Sequence, residues 1–177
     1  MSRLGFGKTK LALVAFAALA AVSSAQAVTD STTLNVSLTL TSGCQFNAAP
    51  TDVNFGSATS TSAAVALDAV GALNVTCTNG TSYTIGLDGG GSNTGAAVTP
   101  AAGSRRMQLL NAPGNYVAYD LYRDAARTSF WGNIVGTDAL DDTGTGSTQS
   151  IPVYGRVTNV NAVSGAYADV VTATITY

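Results

Sequence analysis

The side chains that carry most enzyme chemistry are scarce in this 177-residue chain. It contains no histidine and no glutamate, and its two lysines are Lys8 and Lys10. Histidine is the usual general base and the commonest protein ligand of metals, so its absence excludes a Ser-His-Asp triad. The missing glutamate and the missing lysine beyond residue 10 also exclude paired-glutamate glycosidase chemistry and lysine nucleophiles. We therefore predict a protein that is not an enzyme and that binds no cofactor.

Two stretches still need a chemical interpretation, an aspartate pair and a run of glycines. Asp141 and Asp142 begin a stretch rich in Gly, Ser and Thr at residues 141–147, whose spacing matches no EF-hand calcium loop. We interpret them as solvated turn residues and predict no metal site. The glycines at residues 89–91 are followed by neither a helix signal nor a lysine, so they do not form a phosphate-binding loop.

The first 27 residues predict that the chain is exported. Arg3, Lys8 and Lys10 precede an apolar run at residues 11–22, and the small-x-small sequence Ala-Gln-Ala follows at residues 25–27. This pattern is typical of a secretory signal peptide that is cleaved after residue 27. The apolar run is shorter than the about 20 residues that a transmembrane anchor needs.

The chain beyond residue 27 is long enough for one domain and carries two cysteines. Its five arginines and ten aspartates give a net charge of −5, which argues against binding to nucleic acid or insertion into an anionic membrane. In an exported chain, Cys44 and Cys77 are expected to form one disulfide. Two separate buried thiols are the alternative.

Alternation of apolar and polar residues recurs along the chain and predicts the β-strands that must position any site. The alternating runs lie at residues 33–40, 73–77, 83–87, 117–121, 151–157 and 171–177. Turn-rich stretches at residues 88–93 and 141–147 are interpreted as loops. Many short strands with frequent turns predict an all-β fold, an antiparallel sandwich.

The alternating run nearest to the predicted cleavage site has two interpretations. Leu34, Val36, Leu38 and Leu40 alternate with polar residues, so one face of this strand is apolar. It is either the ordinary first strand of the sandwich or a donor strand that inserts into a neighbour lacking one strand. The chain ends at Tyr177 within another strand pattern, and we expect a free sheet edge there that pairs with another chain.

A set of short motifs in a shared order resembles one protein family. The most specific is Tyr-Arg-Asp-Ala-Ala-Arg at residues 122–127. The supporting motifs are Ser-Gly-Cys at 42–44, Asn-Val-Thr-Cys at 74–77, Ile-Gly-Leu-Asp-Gly-Gly at 85–90, Ile-Pro-Val-Tyr-Gly at 151–155 and Gly-Ala-Tyr-Ala-Asp at 165–169. On these motifs the chain resembles the spore coat protein U family, which includes the major pilins of archaic chaperone–usher pili.

The resemblance implies an incomplete immunoglobulin-like sandwich that lacks its last strand. A periplasmic chaperone would supply a strand temporarily, and at an outer-membrane usher the N-terminal extension of the next, identical subunit would replace it. The implied organisation is a signal peptide at residues 1–27, a donor-strand extension at residues 28–41 and a pilin β-sandwich domain at residues 42–177.

The resemblance also assigns roles to individual residues. Cys44 and Cys77 match the disulfide positions of the family. The side chains implied to fill the pockets of a neighbour are those of Leu34, Val36, Leu38 and Leu40. The terminal strand, at residues 170–177, would border the acceptor groove, and its edge residues would be Val171, Ala173, Ile175 and Tyr177.

The motif at residues 122–128 has a structural and a binding interpretation. We favour the structural one, in which these residues form a hairpin turn with Phe130 and Trp131 on the return strand. Arg123, Asp124 and Arg127 are expected to form a surface ion pair that fixes this turn, and such a pair contributes at most about 1 kcal/mol.

The sequence and the resemblance together predict a structural subunit of a surface pilus that supports adhesion and biofilm formation. It would be exported to the periplasm and then displayed on the cell surface. One alternative is a tip adhesive subunit, which would have an extra receptor-binding domain and need no donor strand. The other is a spore-coat or envelope protein that uses the same fold without forming a pilus.

Overall fold

The computed structural model describes residues 26–59, 66–92 and 99–177. Most of the predicted signal peptide lies outside the described residues. The chain divides into two units, Met1–Leu38 and Thr39–Tyr177, and every described strand belongs to the second. The strands are β1 (Cys44–Phe46), β2 (Leu67–Cys77), β3 (Ser82–Leu87), β4 (Arg106–Leu109), β5 (Tyr116–Ala118), β6 (Asp120–Tyr122), β7 (Leu140–Thr143), β8 (Thr148–Val157), β9 (Tyr167–Ala168) and β10 (Ala173–Thr176).

These strands pair in three antiparallel sheets, with the orders β1-β2-β8-β6, β10-β3-β7 and β5-β4-β9. The part of the chain that the structure describes contains no helix. The prediction of an all-β antiparallel sandwich is therefore confirmed. Consistent with this, none of the described residues forms a helix long and apolar enough to span a membrane.

The longest pairing joins β2 to β8, from Leu67 opposite Val157 to Thr76 opposite Thr148. Pro152 lacks an N–H, yet it lies within β8 opposite Ala72. The N–H and C=O of Ala72 bond instead to Thr51, at 3.0 and 2.8 Å. Ala72 and Pro152 are thus a pair that exchanges no hydrogen bonds, and proline removes none from the β2–β8 ladder.

The core lies where alternate apolar residues of the sheets meet. Val75, Ile85 and Trp131 have no exposed surface, and Val157 is 1% exposed. The Trp131 indole Nε1–H donates to the Ile85 carbonyl at 2.8 Å, which satisfies the one polar group of this large side chain. Trp131, whose surroundings the sequence left open, is therefore a core residue.

Three of the predicted strand and loop boundaries are wrong. The run at residues 117–121 is not one strand, because β5 pairs with β4 and β6 pairs with β8, with Tyr119 at the change of sheet. The predicted loop at residues 141–147 begins inside β7, where Asp141 and Asp142 pair with β3 at an exposed edge that tolerates charge. The terminal strand is shorter than residues 170–177, because β10 is Ala173–Thr176.

Residues 26–43, which include the strand predicted at residues 33–40, form no strand in this structure. Its apolar side chains are exposed: 86% for Leu34, 88% for Val36, 82% for Leu38 and 80% for Leu40. The first interpretation of this run, an ordinary strand of the chain's own sandwich, is therefore not observed.

Candidate functional site

An apolar groove of about 1080 Å³ lies in the unit Thr39–Tyr177. Its lining includes core residues from several strands, among them Leu87, Val117, Leu121, Val153 and Val157. These five side chains are themselves buried, at 1–9% exposure. In this unit they line a groove that is open to solvent.

The first border of the groove is residues 50–58, which lie across β2 and β8. Two glycines let this segment lie close to the sheet. A Cβ atom at Gly155 would come within 2.6 Å of Val53 Cγ1 and 2.8 Å of Phe55 Cζ. A Cβ atom at Gly71 would come within 2.9 Å of Val53 Cγ2 and would also collide with the Thr51 carbonyl. A larger residue at either position would push the first border away from the sheet.

The second border is residues 160–173, which lead into β10. Two aspartates fix its end. The Asp169 carboxylate accepts hydrogen bonds from the Tyr119 hydroxyl at 2.7 Å and from the Ser92 N–H at 2.9 Å. The Asp88 carboxylate accepts from the Thr172 N–H at 2.9 Å, and the Asp88 N–H donates to the Thr172 carbonyl at 3.0 Å. The chain is therefore held in place just before β10.

Tyr119 is the polar side chain closest to the core in this groove, and it is only 6% exposed. Burial raises the pKa of Tyr119 well above its usual value, and the hydrogen bond to the Asp169 carboxylate raises it further. The phenol therefore stays protonated and serves as a hydrogen-bond donor at physiological pH.

The four residues predicted to form the groove edge are placed differently from one another. Val171 and Ala173 line the groove. Ile175 is half-buried and packs against the core. Tyr177 is 61% exposed and lines a separate, shallower pocket of about 390 Å³ beside Cys44 and Cys77.

The backbone of β10 offers a pairing edge. In the described sheets β10 has a single hydrogen-bonded neighbour, β3, with Ala173 opposite Leu87 and Thr176 opposite Thr84. A strand with one partner presents a row of N–H and C=O groups on its other side. The groove therefore combines partly exposed apolar side chains, such as those of Val171 and Ala173, with a strand edge that can hydrogen-bond.

The predicted disulfide is present and joins Cys44 to Cys77, with a sequence separation of 33. The two cysteines lie directly opposite each other in β1 and β2. The Thr78 N–H also donates to the Gly43 carbonyl at 2.9 Å. The three-residue edge strand β1 is therefore fixed to β2 by covalent and hydrogen bonds.

The motif at residues 122–128 is a turn, as predicted, and Tyr122 forms a bridge with Phe130. The expected ion pair among its charged residues is wrong. Asp124 instead accepts hydrogen bonds from the N–H groups of Thr128 and Ser129, at 3.0 and 2.6 Å. The hydrogen bond from Ser129 lowers the pKa of Asp124 more than any other contact does.

The arginines of this motif reach residues outside the turn. Arg127 has a φ of 58°, and its Nε–H donates to the Gly155 carbonyl at 3.0 Å. It also pairs with Asp68, at 3.3 Å between Nε and Oδ1. The Arg123 Nη1–H donates to the Ala139 carbonyl at 2.8 Å. Arg127 therefore contacts β2 and β8, Arg123 bonds to the backbone just before β7, and the charges of the motif do not pair with one another within the turn.

Sequence reasoning missed Arg105, which has no exposed surface. Its Nε–H donates to the Asp88 carbonyl at 2.8 Å, and its Nη2 donates to the carbonyls of Leu87 and Trp131 at 2.9 and 2.8 Å. Burial lowers the pKa of Arg105. No local pattern distinguishes it from the adjacent Arg106, because arginines are usually on the surface.

Among the residues that the structure describes, no group of three or more His, Cys, Asp or Glu side chains could hold a metal ion. The chemistry available at the groove is therefore apolar burial, strand pairing and the hydrogen bonds of Tyr119 and Asp169. These are properties of a site for an extended peptide segment.

Comparison with known proteins identifies a family, a similar curated protein and solved structures with a similar fold. A family model described as the Spore Coat Protein U domain matches residues 30–174. Protein U of Myxococcus xanthus is 37% identical over 184 residues, covering 96% of this chain and 98% of that protein.

Among solved structures, a chain of the chaperone–tip adhesion subunit pre-assembly complex from the archaic chaperone–usher Csu pili of Acinetobacter baumannii has a similar fold. The TM-score is 0.53 at 20% sequence identity. The match covers 78% of the present chain, which spans about 40% of that chain's length.

Proposed function

The chain belongs to the Spore Coat Protein U domain family, and we propose that it is a structural subunit of a surface pilus that polymerises by donor-strand exchange. In this proposal, residues 33–40 of one subunit occupy the groove of another and pair with the free edge of β10. Repetition of this contact joins identical subunits head to tail.

The observation that carries the proposal is a match between two features of the same chain. The groove is lined by buried core residues and by partly exposed apolar residues, among them Met107, Val171 and Ala173, and it lies beside an unpaired strand edge. Leu34, Val36, Leu38 and Leu40 are 80–88% exposed and form no strand, although their alternating pattern is that of a half-buried one. An eight-residue strand extends about 26 Å, and its alternate side chains point to the same face. Inserted into the groove, these four side chains would replace the missing part of the core.

Partners and location follow from the same proposal. A subunit with an open groove exposes apolar surface and needs a temporary strand during export, which we assign to a periplasmic chaperone. Exchange for the donor strand of the next subunit would take place at an outer-membrane usher. Exchange to a better-fitting strand releases free energy, so polymerisation would need no nucleotide. The product would be a pilus on the cell surface that supports adhesion and biofilm formation.

The proposed domain organisation keeps its boundaries: a signal peptide at residues 1–27, the donor-strand extension at 28–41 and the pilin domain at 42–177. The exposed apolar run of residues 33–40 favours a shaft subunit over a tip adhesive subunit, because a tip subunit needs no donor strand. A coat or envelope structural protein that forms no pilus is the second candidate. The observation behind it is the description of the family as a spore coat protein domain.

The first test measures thermal unfolding of the oxidised domain that starts at Ser42, with and without a peptide of residues 29–41. A peptide that binds only the native state raises its stability. We expect a large and slowly reversible increase in Tm, which Leu38→Asp in the peptide abolishes. Asn35→Asp in the same peptide is the matched control, because residue 35 lies on the opposite face of the strand.

Two outcomes would contradict the proposal or narrow it. A domain that is already stable and does not respond to the peptide has no missing strand, and donor-strand exchange would be refuted. A domain that binds the peptide, in a chain that forms no linear polymer at the cell surface, would support the coat or envelope protein instead.

A further inference from the structure

Tyr119 contacts both borders of the groove. It stands between β5 and β6, and its N–H donates to the Arg105 carbonyl at 3.0 Å, which fixes its backbone. Its ring centroid lies 6.3 Å from that of Phe55 in the first border. Its hydroxyl donates at 2.7 Å to Asp169 in the second border. A single rigid side chain therefore connects the two sides of the groove.

The residues at both ends of this connection are themselves held in place. Phe55 lies close against the backbone of Gly155, where no Cβ atom would fit. Asp169 uses its other carboxylate oxygen to accept from the Ser92 N–H at 2.9 Å. Tyr119 therefore connects two residues that each have a further contact holding them in place.

We propose that Tyr119 is a positioning residue that sets the separation of the two groove borders and thereby the size of the donor side chain accepted next to it. This inference rests on the proposed function, since it concerns the fit of a donor strand. Tyr119 lies three residues before Tyr122, where the motif at residues 122–127 begins. A positioning role would account for its hydroxyl among lining residues that are mostly apolar.

Tyr83 is a matched control for Tyr119. It is 2% exposed, and its hydroxyl donates to the Asp142 carboxylate at 3.1 Å. The residues that line the groove do not include it. Tyr83→Phe and Tyr119→Phe therefore each remove one buried hydroxyl that donates to an aspartate. Only Tyr119→Phe does so at the groove.

The experiment uses the full chain, exported and assembled by cells. The dissociation rate of purified polymers in denaturant is measured for the wild type, Tyr119→Phe and Tyr83→Phe, each alone and combined with alanine at one donor position, namely Leu34, Val36, Leu38 or Leu40. We expect Tyr119→Phe to accelerate dissociation about threefold to tenfold. It should also change the effect of alanine about fivefold or more at one or two adjacent donor positions, as residues in contact do. Tyr83→Phe should leave all four alanine effects unchanged.

Asp169→Ala provides a second, independent variant, because it removes the acceptor from the other side of the same hydrogen bond. It should change the alanine effects at the same donor positions as Tyr119→Phe does. A uniform change at all four positions, or equal behaviour of the two phenylalanine variants, would overturn the inference and leave Tyr119 with a merely structural role. A wild-type chain that forms no polymer would instead overturn the proposed function, and this inference with it, before any substitution is compared.

Discussion

Replacing Gly155 by alanine tests whether the first border of the groove is held by close contact with the β2–β8 sheet. The new Cβ atom would lie 2.6 Å from Val53 Cγ1 and 2.8 Å from Phe55 Cζ. Carbon atoms pack at about 3.5–4.0 Å, so the border must retreat by about 1 Å. Such overpacking costs about 1–3 kcal/mol. We expect this decrease in the free energy of unfolding, measured by urea denaturation of the oxidised chain.

A double-mutant cycle separates this clash from general damage. Val53→Ala removes the Cγ1 atom nearest to the new Cβ atom, so part of the cost of Gly155→Ala should disappear when the two are combined. Residues in contact show coupling free energies of about 0.5–3 kcal/mol. The control is Gly86→Ala, whose Cβ atom would come within 2.9 Å of Asn133 and therefore clashes elsewhere.

The functional consequence follows because residues 50–58 line the groove. A displaced first border changes the shape of the groove, so the donor peptide of residues 29–41 should bind more weakly to Gly155→Ala than to Gly86→Ala. Fully additive free energies for Gly155→Ala and Val53→Ala would refute the reasoning. Equal peptide affinities of the two glycine variants would refute its extension to the groove.

Three further predictions concern stability. Replacing Cys44 and Cys77 by alanine should lower the free energy of unfolding in urea by about 4 kcal/mol, because the disulfide closes a loop with a separation of 33; a loss below about 1 kcal/mol would contradict this chain-entropy argument. The folded-state pKa of Asp124 is lowered, so its contribution to the free energy of unfolding is present above the unfolded pKa and lost as pH falls through the folded pKa. The free energy of unfolding should therefore depend less on acid pH in Asp124→Asn than in the wild type. An unchanged pH profile would argue against a stabilising role of the hydrogen bonds in this turn. Burial and the Asp142 carboxylate raise the pKa of Tyr83 to about 12, so its contribution to the free energy of unfolding is present below the unfolded pKa and lost as pH rises toward about 12. Tyr83→Phe should reduce by one the number of tyrosines that ionise late in an ultraviolet titration, and an unchanged number would contradict this.

The strands that sequence reasoning predicted well are those with one buried and one exposed face. In β3, Tyr83, Ile85 and Leu87 are buried and the residues between them are not, so the period of two is visible in the sequence. The same alternation gives Ile151 and Val153 in β8. Here local pattern and tertiary burial agree, and the sequence is sufficient.

The boundaries that failed depend on partners distant in sequence. The period of two continues through residues 117–121, and nothing local marks Tyr119 as the point where the chain changes sheet. Asp141 and Asp142 have low strand propensity, yet they complete an edge strand because β3 offers hydrogen bonds on that side. In both cases the strand boundary depends on the pairing partner and not on the local strand propensity.

The candidate site was predictable in its apolar part and not in its polar part. The groove residues Val171 and Ala173 carry their alternating pattern in the sequence, and the donor role of residues 33–40 stays a prediction. The contacts of Tyr119 with Phe55 and Asp169 join residues 64 and 50 positions apart in the chain, as their numbers show. Arg127 was expected to pair within its turn, but its partner Asp68 is supplied by β2.

The position of the disulfide also determines how tension would pass through the domain. A pull on the chain before Gly43 reaches Cys44 and crosses to Cys77 through covalent bonds, so the segment of residues 45–76 bears little of the load. The force then enters the chain next to β3, one of whose neighbours is β10. Residues 50–58, which border the groove, lie inside the protected segment. A filament of such subunits could therefore be stretched without its first groove border being peeled from the sheet.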